Sequence, residues 1–310
     1  MVQPVISAII CTHNRADYLG TAIASLLNQT YSAYEVIVVD NASTDSTKAV
    51  VDAYLPHPQL TYGYEPTLGL SMARNRGAAI AHGHILAYLD DDAEASPHWL
   101  TALAEAFEAY PNAAIAGGSV NLIWPLGTIP PRWLSPTLSE SLGAYNLGTA
   151  ICPITDPGQT PRGLNYAVRK QFLDSVGGFN LQLGRVGKNL LSNEELHLTQ
   201  QAIEAGYRVL FVPQAQVAHS IAPERLRRGW FLRRSWWQGI SECYREHLTH
   251  TLTGQRVRMR GLCLLRGLVK ALKSWPDPAL RFENLVYAYG QLGYVVSGLR
   301  YLLPWRRAWP

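Results

Sequence analysis

The stretch His84–Asp92, HILAYLDDD, decides how the rest of the chain is read. Five of the six residues from Ile85 to Asp90 are apolar, the composition of a buried strand, and Asp90, Asp91 and Asp92 fall where that strand ends. Three adjacent carboxylates repel one another and cannot pack against a core unpaired. They call for a divalent cation with oxygen ligands, and the plainer alternative is a solvated acidic turn. An open parallel sheet places its ligands beyond the carboxyl ends of its strands, where these acids lie, and that favours the cation.

Working outward, Val5–Cys11 reads as a first strand followed by the polar turn Thr12-His13-Asn14-Arg15 and a helix over 17–28. Glu35–Asp40, EVIVVD, is a β-branched run ending in an acid, as buried parallel strands do. NASTDST (41–47) is dense in capping residues and opens a second helix. Leu60–Tyr64 is a third strand, a helix follows from Gly69 to Ala81, and another runs from Pro97 to Tyr110. This alternation predicts an α/β fold, a doubly wound and mostly parallel sheet with helices on both faces. No G-x-G-x-x-G and no Walker lysine follows strand one, which argues against a dinucleotide dehydrogenase, a P-loop enzyme or a nucleotidyltransferase. Arg74 and Arg76 are candidate phosphate partners, with an exposed helix arginine as the alternative for Arg74.

At 310 residues, with 47% hydrophobic and 16% charged residues, the chain is a folded protein. Its net charge of +4 hides an asymmetry. Through Ala222 there are 11 Lys/Arg against 18 Asp/Glu; from Pro223 onward there are 16 against 5, with six of the nine tryptophans. The predicted boundary therefore falls at 222, with a basic, Trp-rich helical region over 223–310. Cys11, Cys152, Cys243 and Cys263 lack metal-ligand spacing and suit a reducing compartment. The apolar N-terminus runs straight into a polar turn and reads as a strand, not a signal peptide.

ISAIICTHNR (6–15), EVIVVDNASTD (35–45), GLSMARNRG (69–77) and AYLDDDAE (87–94), in this order, resemble the family-2 glycosyltransferases of the GT-A fold. LNYAVRKQFLDSVGGFN (164–180) and SNEELHLTQQAIEAGYRVLFVPQAQVAH (192–219) resemble the acceptor half of the same family. The likeness covers roughly residues 4–222 and implies a donor half over 1–121 and an acceptor half over 122–222. It implies a nucleotide-diphosphate sugar donor, a UDP-sugar foremost, with Mn²⁺ or Mg²⁺. Asp40 with Asn41 would meet the nucleobase side, Thr12, Asn14 and Arg15 the donor from the first turn, and Arg74 the phosphates. The D-x-D motif maps to Asp90 and Asp92, with Asp91 between them; Asp92 would ligand the metal, Asp90 the ribose or metal, and His219 would complete the metal site.

Such a transfer also needs a base for the attacking hydroxyl. Glu194 and Glu195 match the family's acidic pair, with Glu195 at the position of the base; two glutamates replace the commoner Glu-Asp, so which acid serves stays open. Favourable charge at a helix N-terminus is the alternative for the pair. The irregular segment 122–161 and Gly184–Leu191 are expected to shape the acceptor pocket, with Asn165 in an acceptor-side strand and Pro213 at a helix end. The resemblance implies an inverting enzyme of bacterial type in polysaccharide or glycoconjugate synthesis, with a catalytically silent nucleotide-sugar-binding scaffold subunit as the alternative.

The tail reads RLRRGWFLRRSWWQG (225–239), VRMRGLCLLRGLVKALKSW (257–275), then Phe282–Leu303 and PWRRAWP (304–310). Arginine beside tryptophan at helical spacing fits helices lying on an anionic membrane surface. A homo-oligomer interface and a helical annex packed on the core are the alternatives, and no nucleic-acid motif accompanies the charge. The expected acceptor is a glycan or lipid-linked glycan, and the expected location is cytoplasmic, peripheral on the inner face of the plasma membrane.

Overall fold

The computed structural model describes residues 5–187 and 189–303. Lys188, within the Gly184–Leu191 stretch expected at the acceptor pocket, and PWRRAWP lie outside the described residues. Strands β1 (Ile6–Thr12), β2 (Tyr34–Asp40), β3 (Leu60–Tyr64) and β4 (Ile85–Asp90) alternate with helices α1 (Ala16–Leu27), α2 (Thr47–Asp52) and α3 (Leu70–Ile80). β5 (Ala93–Ala95), α4 (Trp99–Ala109), β6 (Ala113–Ile123), α5 (Pro136–Glu140), β7 (Cys152–Pro153), β8 (Asn165–Arg169), α6 (Lys170–Ser175), α7 (Glu194–Glu204) and β9 (Arg208–Ser220) follow. Among the described residues these strands form one sheet in the order β3-β2-β1-β4-β8-β6-β9-β5, with β7 beside β9.

The first four strands are parallel; β1, β2 and β4 are nearly wholly buried, with helices over both of their faces and apolar side chains on both, while β3 is a partly exposed edge strand. The register Thr12↔Asp40 and Cys11↔Asp90 brings the polar ends of β1, β2 and β4 to one edge. Beyond β4 the sheet is mixed: β8 runs antiparallel to both β4 and β6, while β6 and β9 are parallel. The run Arg208–Val212 is only the first part of a 13-residue strand that ends at Ser220.

Pro213 is not at a helix end. It lies within β9 where the register shifts, Gly118↔Val212 being followed by Val120↔Val217, so the residues between Val212 and Val217 bulge opposite Ser119. A proline without an N–H is tolerated where the ladder is already broken. Asn165, expected on the acceptor side, is instead fully buried and laces this bulge: its amide donates to Ala215 O (2.8 Å) and Ser119 O (3.2 Å), and its carbonyl accepts from Trp99 Nε1 (2.8 Å).

By density of contacts the chain falls into two compact units. One comprises the chain up to Ile123, Gly143–Gly187 and Glu194–Ser220; the other takes Trp124–Leu142, the short stretch ending at Asn193, and the chain from Ile221 onward. The compositional change at 222 thus falls close to the last junction, while part of the expected acceptor insertion groups with the C-terminal helices. In that second unit α8 (Arg228–Leu248), α9 (Gly254–Lys273) and α10 (Pro278–Leu302) follow one another. Among the described residues no helix is long and apolar enough to cross a membrane.

Two of the tryptophans of α8, Trp230 and Trp236, make ring contacts within the helical unit and are half-buried. Trp230 packs edge-on against Phe231 (5.0 Å between ring centroids), Phe231 against Trp133 (5.4 Å), and Trp236 against Tyr289 (5.6 Å). Of these rings Phe231 is buried, and the tryptophans lie half-exposed around it and Tyr289.

Gly118 tests the β6–β9 bulge. A Cβ there would lie 2.0 Å from Ala215 O and 2.4 Å from Val212 O, both backbone atoms. Gly118→Ala should lower unfolding free energy by about 3 kcal/mol; a urea midpoint equal to the wild type would show that the bulge yields freely.

Candidate donor and acid–base site

The polar edge of the sheet is built from loops that brace one another. Asn14, at a positive φ of 52°, accepts from Thr44 N (2.7 Å) through its side-chain oxygen, and its own N–H donates to Ser43 Oγ (3.0 Å). Left-handed backbone suits asparagine better than most residues. Asn41, nearly buried, donates to Glu65 O and Thr67 O and accepts from Gly69 N (2.8 Å), so it fixes the turn that opens α3. Asp40 accepts from Ser43 N (2.9 Å) and from the Tyr62 hydroxyl (3.0 Å), and Tyr62 is a partner that strand periodicity gave no reason to single out.

The three aspartates are placed by strand pairing. β5 is antiparallel to β9 with Ala93↔His219, and Ser220 N donates to Asp92 O (2.8 Å), which sets His219 beside the acidic turn. His219 Nε2 lies 3.2 Å from Asp92 Oδ1, and both side chains are buried. Arg15 contacts the other Asp92 oxygen directly and stands 3.6 Å from Asp91. Burial and then the charge of Asp92 push Asp91 up to about 7, against the opposing pull of Arg15 and the Thr12 hydroxyl. Asp90 is raised for the same two reasons.

The cluster is thus short of positive charge, and its donors are the carboxylate oxygens and imidazole nitrogen that Mn²⁺ accepts. Among the described residues no three of His, Cys, Asp and Glu converge as a ready-made ligand set, and Asp92 and His219 would offer an ion two side-chain ligands. Cations that work on phosphates are often held by one or two side chains, with the phosphates supplying further ligands, so the residues fit the expected ion.

The second acidic group sits on α3 and α7. Arg74, expected at the donor phosphates, is only 3% exposed, and its Nη1 is spent on Glu194 (3.0 Å) and Glu195 (2.8 Å). Its guanidinium also faces the rings of Phe179 (5.3 Å) and Tyr88 (5.9 Å). The reason is helical phase: Ser71, Ala73, Arg74, Gly77 and Ala78 are the buried positions of α3, and Arg74 is the one long side chain among small ones. A buried cation must be paired, and α7 delivers two carboxylates in its first turn. Arg76, by contrast, is exposed.

One guanidinium cannot offset two buried carboxylates. Burial first, then the Glu195 charge, push Glu194 up to about 7 despite Arg74, and one Glu194 oxygen has no hydrogen-bond partner. Glu195 is the more open of the two, with 15% of its side chain exposed against 3% for Glu194. Gly163 lies against this group; a Cβ there would meet Glu195 Oε1 at 1.8 Å and Arg74 Nη2 at 2.6 Å. Arg185, exposed in the loop before α7, lowers the pKa of both Asp90 and Glu194, as Arg74 also does. The two acidic groups therefore lie within the fields of the same two arginines. The motifs did not single out Arg185, though it lies in the loop assigned to the acceptor pocket.

A pH dependence follows from Glu194. Its folded-state pKa stands near 7, above the unfolded value of about 4.3, so the folded chain holds the extra proton between those limits. Stability should fall as pH rises through this window, by up to about 1.4 kcal/mol per unit from this group. Glu194→Gln should flatten the slope of unfolding free energy against pH across it; an unchanged slope would mean that Glu194 is ionised throughout.

Residues 7–163 match the family described as Glycosyl transferase family 2. A glucosyl-dolichyl phosphate glucuronosyltransferase of Haloferax volcanii is 26% identical over 241 residues, spanning 76% of each chain. Glycosyltransferase AglE of the same organism is 29% identical over 228 residues, 71% of this chain and 68% of that one. Among solved structures, the mannosyltransferase PcManGT of Pyrobaculum calidifontis, in complex with GDP-Man and Mn²⁺, superposes with a TM-score of 0.62 at 19% identity, over 96% of this chain and 88% of that one. S. aureus TarS 1-349 in complex with UDP gives 0.51 at 19% identity, over 96% and 91%. These likenesses carry the GT-A fold, and the chain, through its match over half its length and its named relatives, belongs to glycosyltransferase family 2, whose members are enzymes that use nucleotide-sugar donors.

Proposed function

We propose that this chain is a metal-dependent, inverting glycosyltransferase that moves a sugar from a UDP-sugar to a hydroxyl of a glycan or lipid-linked glycan. The reading rests above all on two acidic groups, Asp90–Asp92 with His219 and Glu194–Glu195 with Arg74, lying within the fields of the same arginines. Inverting transfer needs a site that neutralises the leaving diphosphate and, on the opposite face of the sugar, a carboxylate that takes the acceptor's proton. Asp92 and His219 would hold Mn²⁺ or Mg²⁺, with Asp90 toward the ribose, and the ion would supply positive charge for the departing diphosphate.

Arg15 and the exposed Arg185 are the cations available to the donor phosphates, a role reassigned from the sequestered Arg74. Asp40, Asn41, Thr12 and Asn14 shape the nucleoside end. Glu195 is the base. It is the more open member of the pair, and Arg74 and the Gly163 backbone fix its orientation, while the buried Glu194 keeps its proton to about pH 7 and so spares Arg74 a second full charge. The enzyme works in polysaccharide or glycoconjugate assembly, cytoplasmic and peripheral on the membrane through residues 225–310.

The test is a thermal-shift panel of UDP-, GDP-, CMP- and dTDP-sugars with and without Mn²⁺. Wild type should rise only with a UDP-sugar and Mn²⁺, since ligands that bind the folded state alone stabilise it, and Asp92→Ala should lose the shift. A Mn²⁺-dependent rise with GDP-sugars alone would reassign the base, and no rise with any donor would favour the scaffold alternative. Glu195→Gln should keep the donor shift while transfer falls by about 10²–10⁴-fold; near-normal transfer would move the base to Glu194.

A further inference from the structure

Helix α9 has two unlike faces. Its inner face buries Val257, Gly267 and Ala271 and lies against α10; a Cβ on Gly267 would meet Ala288 and Tyr287 at 3.1 Å, and one on Gly298 would meet Val257 at 2.5 Å. Its outer face carries Leu262 (41% exposed), Leu265 (59%), Val269 (50%) and Leu272 (70%), with Trp275 (68%) just past its end. These four fall at i, i+3, i+7 and i+10, which is one continuous stripe along the helix. Arg258, Arg266, Lys270 and Lys273 are exposed along the same helix, and α9 contains no acidic residue. The basic residues nearer the inner face are paired instead, Arg256 with Glu246 (3.1 Å) and Arg260 with Glu242 (2.6 Å).

We infer that the outer face of α9 is the surface by which this chain seats on an anionic lipid bilayer, the leucines entering the headgroup boundary and the four cations meeting lipid phosphates. The inference rests on the peripheral membrane contact proposed above and gives it to a different helix and different side chains from the arginine–tryptophan clusters of α8. Charge decides among the occupants. A second copy packed by two-fold symmetry, α9 on α9, would oppose two sets of cations with no acid on either helix. Nucleic acid would use the cations but leave the leucine stripe in water. An anionic bilayer uses both.

Vesicle flotation tests it with the full chain. Wild type should float with phosphatidylcholine vesicles that contain phosphatidylglycerol and not with phosphatidylcholine alone. Leu265→Asp with Leu272→Asp should cut binding by about a hundredfold, the loss of two buried leucines. Arg266→Gln and Lys273→Gln should each cost about fivefold, and added salt should remove their difference from wild type. All four positions are exposed, so helix content by circular dichroism should not change. The idea is overturned if the double aspartate variant floats like wild type, if neutral vesicles serve equally well, or if sedimentation shows a wild-type dimer that the same substitutions dissociate. The donor-induced thermal shift, measured on each variant, separates the two readings: it should persist when flotation is lost, and its absence from wild type would count against the transfer chemistry alone.

Discussion

A cation buried among aromatic rings governs this molecule. Arg74 is enclosed by Tyr88 and Phe179 and meets Glu194 and Glu195 with a single guanidinium nitrogen. Removing one partner of such a pair typically costs about 3–5 kcal/mol, because the survivor is left charged and dry. The triad therefore constrains everything that delivers its members. α3 must present small residues around Arg74, Gly163 must bring its backbone against Glu195, and α7 must begin where two consecutive acids can both reach α3. It also joins a helix of the parallel donor half to the first turn of a helix 120 residues later in the chain.

The same economy explains why the sheet abandons parallel pairing after β4. A further parallel strand would extend the donor half without bringing a distant residue to its edge. By pairing β8 antiparallel with β4 and letting the 13-residue β9 run on past its bulge to Ser220, the chain places His219 against Asp92. Asn165 makes three hydrogen bonds in the dry interior, two of them to the bulge and one from Trp99, where unmade ones are costly. Its burial is thus what keeps the far end of β9 in place, and its contribution to the site is made from a distance.

The parallel part of the sheet was legible in the sequence because each of its elements is locally consistent. Continuous β-branched runs, polar turns and the acids after β4 all point the same way, and the boundaries fall within a residue or two of the expected ones. The burial of Arg74 was not legible in the motif, because a motif fixes spacing but not facing. Small residues at 71, 73, 77 and 78 mark the buried side of α3, and an arginine in their midst signalled a buried ion before any partner was known. Pro213 and Asn165 escaped because a bulge is a relation between two strands that neither sequence displays alone. In the tail, arginine beside tryptophan marks α8, where Trp230 and Trp236 pack on other rings and are half-buried, whereas the plainer leucines of α9 are exposed.

The two acidic groups show how one cleft can assign different chemistry to like residues. Both hold carboxylates raised by burial and by each other, so both lack positive charge. Their counterions differ. Arg74 is 3% exposed and held between rings, and burial with the Glu195 charge raises Glu194 beside it to about 7; on the proposed reading that pair is suited to proton transfer. Arg15 is 25% exposed, at the rim of the acidic turn and stacked on Tyr18 at 4.6 Å, where a change of rotamer could carry it from Asp92 to another anion. A fixed counterion makes an acid–base group; a displaceable one leaves room for a metal and the phosphates that accompany it. On the proposed reading, the exposure of the neighbouring arginine, more than the acids themselves, separates the donor site from the base.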